Sequence, residues 1–300
     1  MKQPIFHQRN ECIICGSTQL EKLFDSKDFF LTKENYSLIK CRDCSLIFTT
    51  PYPDESNAAA YYESQNYLSH QDRKEGTIAK IYNLVKILNV KKKYQVATKN
   101  LTFGKVFDIG CGTGDFLSYS KKHAWEIFGL EPNNDARKLA EEKLQTQLLK
   151  SIEQAEIKSE EIQLITLWHV LEHIYKPEEL MRFIDKVLDK NGRLVVALPN
   201  YESYDAVYYR KYWAAFDLPR HLFHFNKKSI VQLMNKHGLV LKKIIPMKWD
   251  AYYVSILSEK YKNPESRSFF VKGLYKGFIS NFKAKRNLNY SSLIYIFEKK

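Results

Sequence analysis

The chain has 300 residues, 44% hydrophobic and 27% charged, with 47 Lys and Arg against 34 Asp and Glu and a formal net charge of +13. These are globular values, which exclude a disordered or collagen-like chain. The most apolar run, residues 164–171, is much shorter than the roughly 20 apolar residues of a membrane span. The first ten residues, MKQPIFHQRN, lack the apolar centre of a signal peptide. A reducing cytoplasm is therefore expected, where five cysteines serve as metal ligands or buried thiols rather than disulfides.

The chain reads as three parts: a cysteine module over 1–50, a helical linker over 51–100, and an α/β domain over 101–300. In the first, Cys12-Ile-Ile-Cys15 and Cys41-Arg-Asp-Cys44 form two C-x2-C pairs. Each such turn brings two thiolates to one edge of a tetrahedron, and two turns complete a closed four-sulfur zinc site. A closed site is structural, because no position remains for water or substrate. Gly16 and Ser45 suit the tight turns of zinc knuckles, and residues 36–40 and 46–49 read as strands of a small zinc-ribbon-like sheet. In the linker, the breaker Pro51-Tyr52-Pro53-Asp54 precedes Ile78, Ile81, Tyr82, Val85 and Leu88, which recur at helical spacing from Gly76 onward.

From Phe103 strand-like and helix-like segments alternate, the pattern of a parallel sheet covered by helices. Val106-Phe-Asp108-Ile-Gly110-Cys111-Gly112-Thr-Gly114 is a buried strand running into a glycine turn and then a helix over 116–123. A second strand, 126–131, ends in Glu131, at the place where an open α/β sheet presents a carboxylate to ribose hydroxyls. A dinucleotide fold would need a further glycine at 115 or 117, where Asp115 and Leu117 stand.

The run Asp108-Ile-Gly110-Cys-Gly112-Thr-Gly114-x-Phe116, the pair Glu131-Pro132, and Leu167-Trp168-His169-Val-Leu-Glu172-His173 after strand four resemble class I S-adenosylmethionine-dependent methyltransferases. The resemblance covers about 200 residues. It implies a Rossmann-like sheet of seven strands with helices on both faces and an antiparallel last strand, for which residues 292–298 are placed. It also implies S-adenosylmethionine as cofactor. Asp108 and the backbone of Gly110 and Gly112 would contact its amino-acid end and Glu131 its ribose, with Pro132 beside it; Gly114, the remaining glycine of the cofactor loop, would let the following helix pack close to the sheet. Trp168 and His169 would lie next to the sulfonium.

The string His169-Val-Leu-Glu172-His173 also spells H-x-x-E-H, a zinc-protease pattern that requires a helix. Here it directly follows an apolar strand. Methyl transfer to a hydroxyl or carbon acid needs a base, and histidine suits that near neutral pH. Of His169, His173, His221 and His224, we select His173 and His221 as the catalytic candidates.

The expected acceptor is a small molecule, a sugar or other anionic metabolite. The alternatives are an RNA methyltransferase and a non-enzymatic zinc-ribbon binding protein. The Asn/Asp-Pro-Pro-Tyr signature of amino-methylating nucleic-acid enzymes is replaced by Trp168-His169. Residues 227–300 hold 16 Lys and Arg against four acids. Within them, 266–287 spaces Phe269, Phe270, Leu274, Phe278 and Phe282 as an amphipathic helix. Such a helix either packs its aromatic stripe on the core, with lysines outward, or forms a lid or a peripheral membrane contact.

Overall fold

The computed structural model describes residues 5–62 and 77–300. The N-terminal part contains β1 (Phe6–His7), β2 (Leu20–Lys27), β3 (Asn35–Cys41), β4 (Ile47–Thr50) and β5 (Tyr52–Pro53). Strands β2, β3 and β4 form an antiparallel meander, and β1 pairs with β5. Tyr36 and Leu38 alternate inward along β3, as a half-buried strand requires. In β4, by contrast, Ile47, Phe48 and Thr49 are all buried, because its two faces pack on different clusters, Ile47 with Tyr209 and Trp213 and Phe48 with Leu46 and Phe223. Of the expected linker, residues 63–76 lie outside the described residues, Gly76 among them; helix α1 spans Thr77–Thr98.

The central sheet contains β6 (Lys105–Ile109), β7 (Glu126–Leu130), β8 (Ile162–Trp168), β9 (Leu188–Pro199), β11 (Leu239–Pro246) and β12 (Ser292–Lys299), in the order β11-β12-β9-β8-β6-β7. Strands β7, β6, β8 and β9 are parallel, and β12 runs antiparallel between β9 and β11. Where the sequence implies a seventh strand, the described residues hold one parallel bridge, Leu130 to Leu149. The inner strands are mostly apolar and buried on both faces, as a parallel sheet under helices demands, with Asp108 and Thr166 as buried polar exceptions.

The covering helices are α2 (Asp115–Lys121), α3 (Asn134–Leu144), α4 (Pro177–Val187), α5 (Tyr204–Tyr209) and α6 (Lys227–Lys236). Local chemistry fixes their starts. The Asn133 side chain accepts from the Asp135 and Ala136 N–H groups, and Asn226 and Ser229 form a capping box. Just before α6, strand β10 (Phe223–His224) pairs with β4, so the N-terminal sheet takes its fourth strand from 170 residues downstream.

Helices α7 (Asp250–Lys262) and α8 (Phe269–Asn287) form a hairpin inserted between β11 and β12. The buried face of α8 is Gly273, Gly277, Ser280 and Ala284. A Cβ on Gly273 would meet Ile256 Cα at 2.4 Å, and one on Gly277 would meet Tyr252 Cα at 2.8 Å. The backbones thus touch through the small residues. The aromatic stripe faces outward instead, which overturns the expectation that it packs on the core. Among the described residues, no helix is long and apolar enough to cross a membrane.

Candidate active site

At the end of β6 the chain turns through residues 110–114 into α2. Gly110, Gly112 and Gly114 all have positive φ, at +70°, +55° and +73°. A Cβ on Gly110 would lie 2.5 Å from Val170 Cγ2, so a side chain there is excluded twice, by conformation and by contact. Nothing lies within 4 Å of the corresponding position on Gly112, which leaves its backbone facing open space.

Glu131 closes one side of that space. Its carboxylate accepts from the Gly112 N–H at 2.8 Å and from the Asn133 N–H at 2.9 Å. Pro132 follows, and its carbonyl accepts from Arg137. On the neighbouring strand, the Asp108 carboxylate accepts from the Thr166 hydroxyl at 2.6 Å and is 2% exposed. Burial pushes the Asp108 carboxyl up to about 7 despite that bond. Burial also raises Glu131, against its two N–H donors. Two carboxyls whose desolvation outweighs their partners form a site that a cation would stabilise.

Trp168, at the end of β8, packs on Phe116 with ring centroids 5.4 Å apart. Its indole N–H is buried without a partner among the described residues. Lys93 of α1 lies 4.8 Å above the Trp168 ring. Burial lowers that ammonium's pKa, while Asp250, Asp108 and Asp115 draw it back up.

His169 has φ +59°, a backbone that costs energy outside glycine and that clusters at functional sites. Its Nδ1 is 3.5 Å from Glu172 and its Nε2 3.4 Å from Asp250. Burial alone would lower its pKa, but the two carboxylates outweigh that and lift it to about 9. His169 is therefore an imidazolium at neutral pH and has no lone pair with which to take a proton. The string His169-Val-Leu-Glu172-His173 ends in a single 3-10 turn, Leu171–His173. With His169 left-handed, the helical pairing of a zinc protease does not form.

The donor atoms of Glu172, His173 and His221 all lie within 4.8 Å of one another. Glu172 is 1% exposed, and its charge is balanced by the His169 imidazolium. His173 Nδ1 is 3.0 Å from the Arg220 carbonyl and 2.9 Å from the Tyr62 hydroxyl. His221 Nδ1 is 2.9 Å from the Ala215 carbonyl. A carbonyl only accepts, so each Nδ1 carries the hydrogen and, in the neutral ring, each Nε2 keeps the lone pair. Burial, then the neighbouring His173, pushes His221 down to about 4. His224 is buried against Thr49 Oγ1 at 3.1 Å, and burial holds it neutral.

Arg220, beside His221, is buried between Asp28 at 3.0 Å and Asp217 at 2.6 Å. The site thus brings together every residue singled out around Asp108, the glycine loop, Glu131, Trp168 and His169, and sets His173 beside His221 with ring centroids 4.5 Å apart. Lys93, Asp250 and Tyr62 were not found by sequence reasoning. They come from elements far along the chain and carry no local motif.

The four cysteines of the N-terminal part also converge. Their Sγ atoms lie within 4.8 Å of one another, with Cys12 to Cys44 at 3.3 Å and Cys15 to Cys41 at 3.5 Å. A tetrahedron of zinc–sulfur bonds near 2.3 Å has edges of about 3.8 Å, so the donor set fits zinc. Gly16 and Ser45 occupy equivalent left-handed positions, φ +69° and +67°, each donating its N–H to the carbonyl of the first cysteine of its pair. Cys111 is a buried filler in the glycine loop, outside this cluster.

A family model described as a methyltransferase domain matches residues 84–244. Among solved structures, geranyl diphosphate C-methyltransferase from Streptomyces coelicolor A3(2), with S-adenosyl-L-homocysteine bound, is similar with a TM-score of 0.55 and 9% identity, over 82% of this chain and 97% of that one. Magnesium protoporphyrin IX methyltransferase from Synechocystis PCC 6803, also with S-adenosyl-L-homocysteine, is similar with a TM-score of 0.51 and 16% identity, over 82% of this chain and all of that one. At such identities the likeness is one of fold. A search of curated protein sequences found no match.

Proposed function

The chain belongs to the methyltransferase-domain family, and on that premise we propose that it carries a methyl group from S-adenosylmethionine to a small anionic acceptor, a sugar or a related metabolite. The observation that carries this reading is the pair Asp108 and Glu131 around the open backbone of Gly112. Both carboxyls are raised by burial, and the cofactor brings cationic groups to such a site. The unpartnered indole N–H of Trp168 supports the same placement. When bound, S-adenosylmethionine supplies an electrophilic methyl group on a sulfonium, whose carbon–sulfur bond breaks to leave a neutral thioether.

The chain's own residues then have separable tasks. Glu131 exchanges backbone donors for the ribose hydroxyls, and the Gly110–Gly112 backbone holds the amino-acid end. Trp168 walls the site against water. His221 is neutral and carries its hydrogen on Nδ1, so Nε2 is the atom that receives the acceptor's proton, with His173 as its partner. Glu172 and Asp250 hold His169 as a fixed imidazolium, so it orients the loop after β8 rather than moving a proton. Cys12, Cys15, Cys41 and Cys44 hold one structural zinc remote from this chemistry.

Calorimetry with S-adenosylhomocysteine tests the reading. Saturable binding is expected; no binding would return the chain to a binding module. A salt-sensitive shift of RNA mobility would move the acceptor from small molecules to nucleic acid.

A further inference from the structure

The α7–α8 hairpin turns an apolar, cationic face away from the molecule. Trp249, Phe270, Val271, Tyr275, Phe278 and Phe282 are each more than half exposed. They are exposed because the opposite face of α8 is committed to the backbone contact of Gly273 and Gly277 with α7. Single exposed apolar residues need no explanation, but a contiguous aromatic stripe of this kind marks an interaction surface.

The charge on this face identifies what it meets. Residues 266–288 hold six Lys and Arg and no acid. Lys276 and Lys283 stack on the rings of Tyr208 and Tyr204 at 3.9 and 4.0 Å, on the flank of α8 that faces α5, whereas Lys248 and Lys285 lie with Phe278 and Phe282. A hollow of about 330 Å³ opens beside Trp249 and Phe282, and its charged lining is Lys92, Lys248 and Lys285. A basic helix with aromatic side chains on its outer face is the signature of an element that lies in the plane of a membrane interface. A second copy of the chain fits poorly, since a two-fold contact would bring the same cations onto themselves.

We propose that the α7–α8 face docks on a bilayer surface rich in anionic lipid, with the aromatic side chains in the headgroup–acyl boundary and the lysines against the headgroups. Asp250, the first residue of α7, reaches His169, so the docked face adjoins the candidate active site. Docking does not depend on the methyl-transfer reading. What rests on that reading is only the consequence that an acceptor carried on the bilayer would be presented beside the site.

The test is flotation of the full chain with vesicles of phosphatidylcholine, with and without phosphatidylglycerol. The chain is expected to float with the anionic vesicles, to release as salt rises, and to stay behind with phosphatidylcholine alone. Phe278→Ser with Phe282→Ser, and separately Lys248→Glu with Lys285→Glu, should each cut the bound fraction severalfold. Vesicles should shift tryptophan emission to the blue, and Trp249→Phe should remove that shift. Calorimetry with S-adenosylhomocysteine checks that each variant is folded, and loss of that binding in the parent chain would overturn the enzymatic reading alone. No flotation of the parent chain, or equal flotation by both double variants, overturns the proposal. So does RNA binding or dimerisation through this face without vesicle binding.

Discussion

The Thr49 hydroxyl donates to the main-chain carbonyl of His221 at 2.7 Å, across 172 residues of sequence. The Thr49 N–H donates to the next carbonyl, Leu222, at 3.0 Å, and β4 continues the ladder with β10. The sheet whose strand β3 ends in Cys41 therefore also holds the loop of the candidate base, through β4 and β10. Disturbing the cysteine cluster is felt at that loop through main-chain bonds.

Elemental analysis of chain purified without chelator should find one zinc, lost on Cys41→Ser and retained on Cys111→Ala. Removing the metal should lower turnover more than affinity for S-adenosylhomocysteine, because β4 holds the His221 loop and not the glycine loop. Equal losses in both would disconnect the cluster from the loop.

Glu131→Ala should weaken S-adenosylhomocysteine binding by about 1.5–3 kcal/mol, the scale of lost charged hydrogen bonds. Asp108→Ala should cost as much or more. Near-parental affinity in both variants, measured by calorimetry, would misplace the cofactor.

His221→Ala and His173→Ala should each depress turnover while cofactor affinity stays unchanged. His221 is held down at about 4 by burial and His173, so it remains a proton acceptor across the neutral range. Its own protonation should impose no loss of rate between about pH 5 and 8. A steep acid limb in that window in the parent chain that disappears in His221→Ala would contradict the depressed value.

The His169 contribution to folding stability should decline from about pH 6.5 upward. His169 is raised to about 9, so its contribution is complete below the unfolded value of about 6.5 and is lost as pH climbs through 9. His221 is depressed, so the unfolded chain binds more protons between about 4 and 6.5 and its contribution rises with pH there, while Asp108, raised to about 7, loses stability over the same range. The His169 side chain is 31% exposed, and solvent screening trims its share to on the order of 1–2 kcal/mol. Denaturant titrations across pH should show the alkaline limb flattened in Asp250→Asn.

Arg220→Ala should destabilise the fold by about 3–5 kcal/mol, since it leaves Asp28 charged and wholly buried. The Asp28 carboxylate also accepts the N–H groups of Phe30, Leu31 and Thr32. The loop over residues 28–34 should therefore gain protease sensitivity in the same variant.

Some of this was legible in the sequence for physical reasons. Strand β8 is apolar at five of its seven positions, as an inner strand of an α/β sheet must be, and the glycine spacing after β6 leaves little choice of turn. The cysteine pairs specify their own geometry. Asp250 and Lys93 were illegible because nothing local marks a helix residue that reaches a site by tertiary packing. β10 is two residues long and exists only as a partner for β4. The outward stripe of α8 was readable in principle. Gly273 and Gly277 lower helix propensity, but four residues apart they also make a smooth face against which another backbone can lie, and that second effect decides which side is buried.

The pairing of β4 with β10 also bears on how the chain is made. Thr49 leaves the ribosome long before His224, which is 175 residues further along. At a synthesis rate of about 5–20 residues per second, the edge of β4 is without its partner for roughly 10–35 s. A bare strand edge is a template for association with other chains, and β4 carries the apolar pair Ile47 and Phe48. The cysteines are complete by residue 44, so early zinc capture would hold the nascent sheet in one piece through that interval.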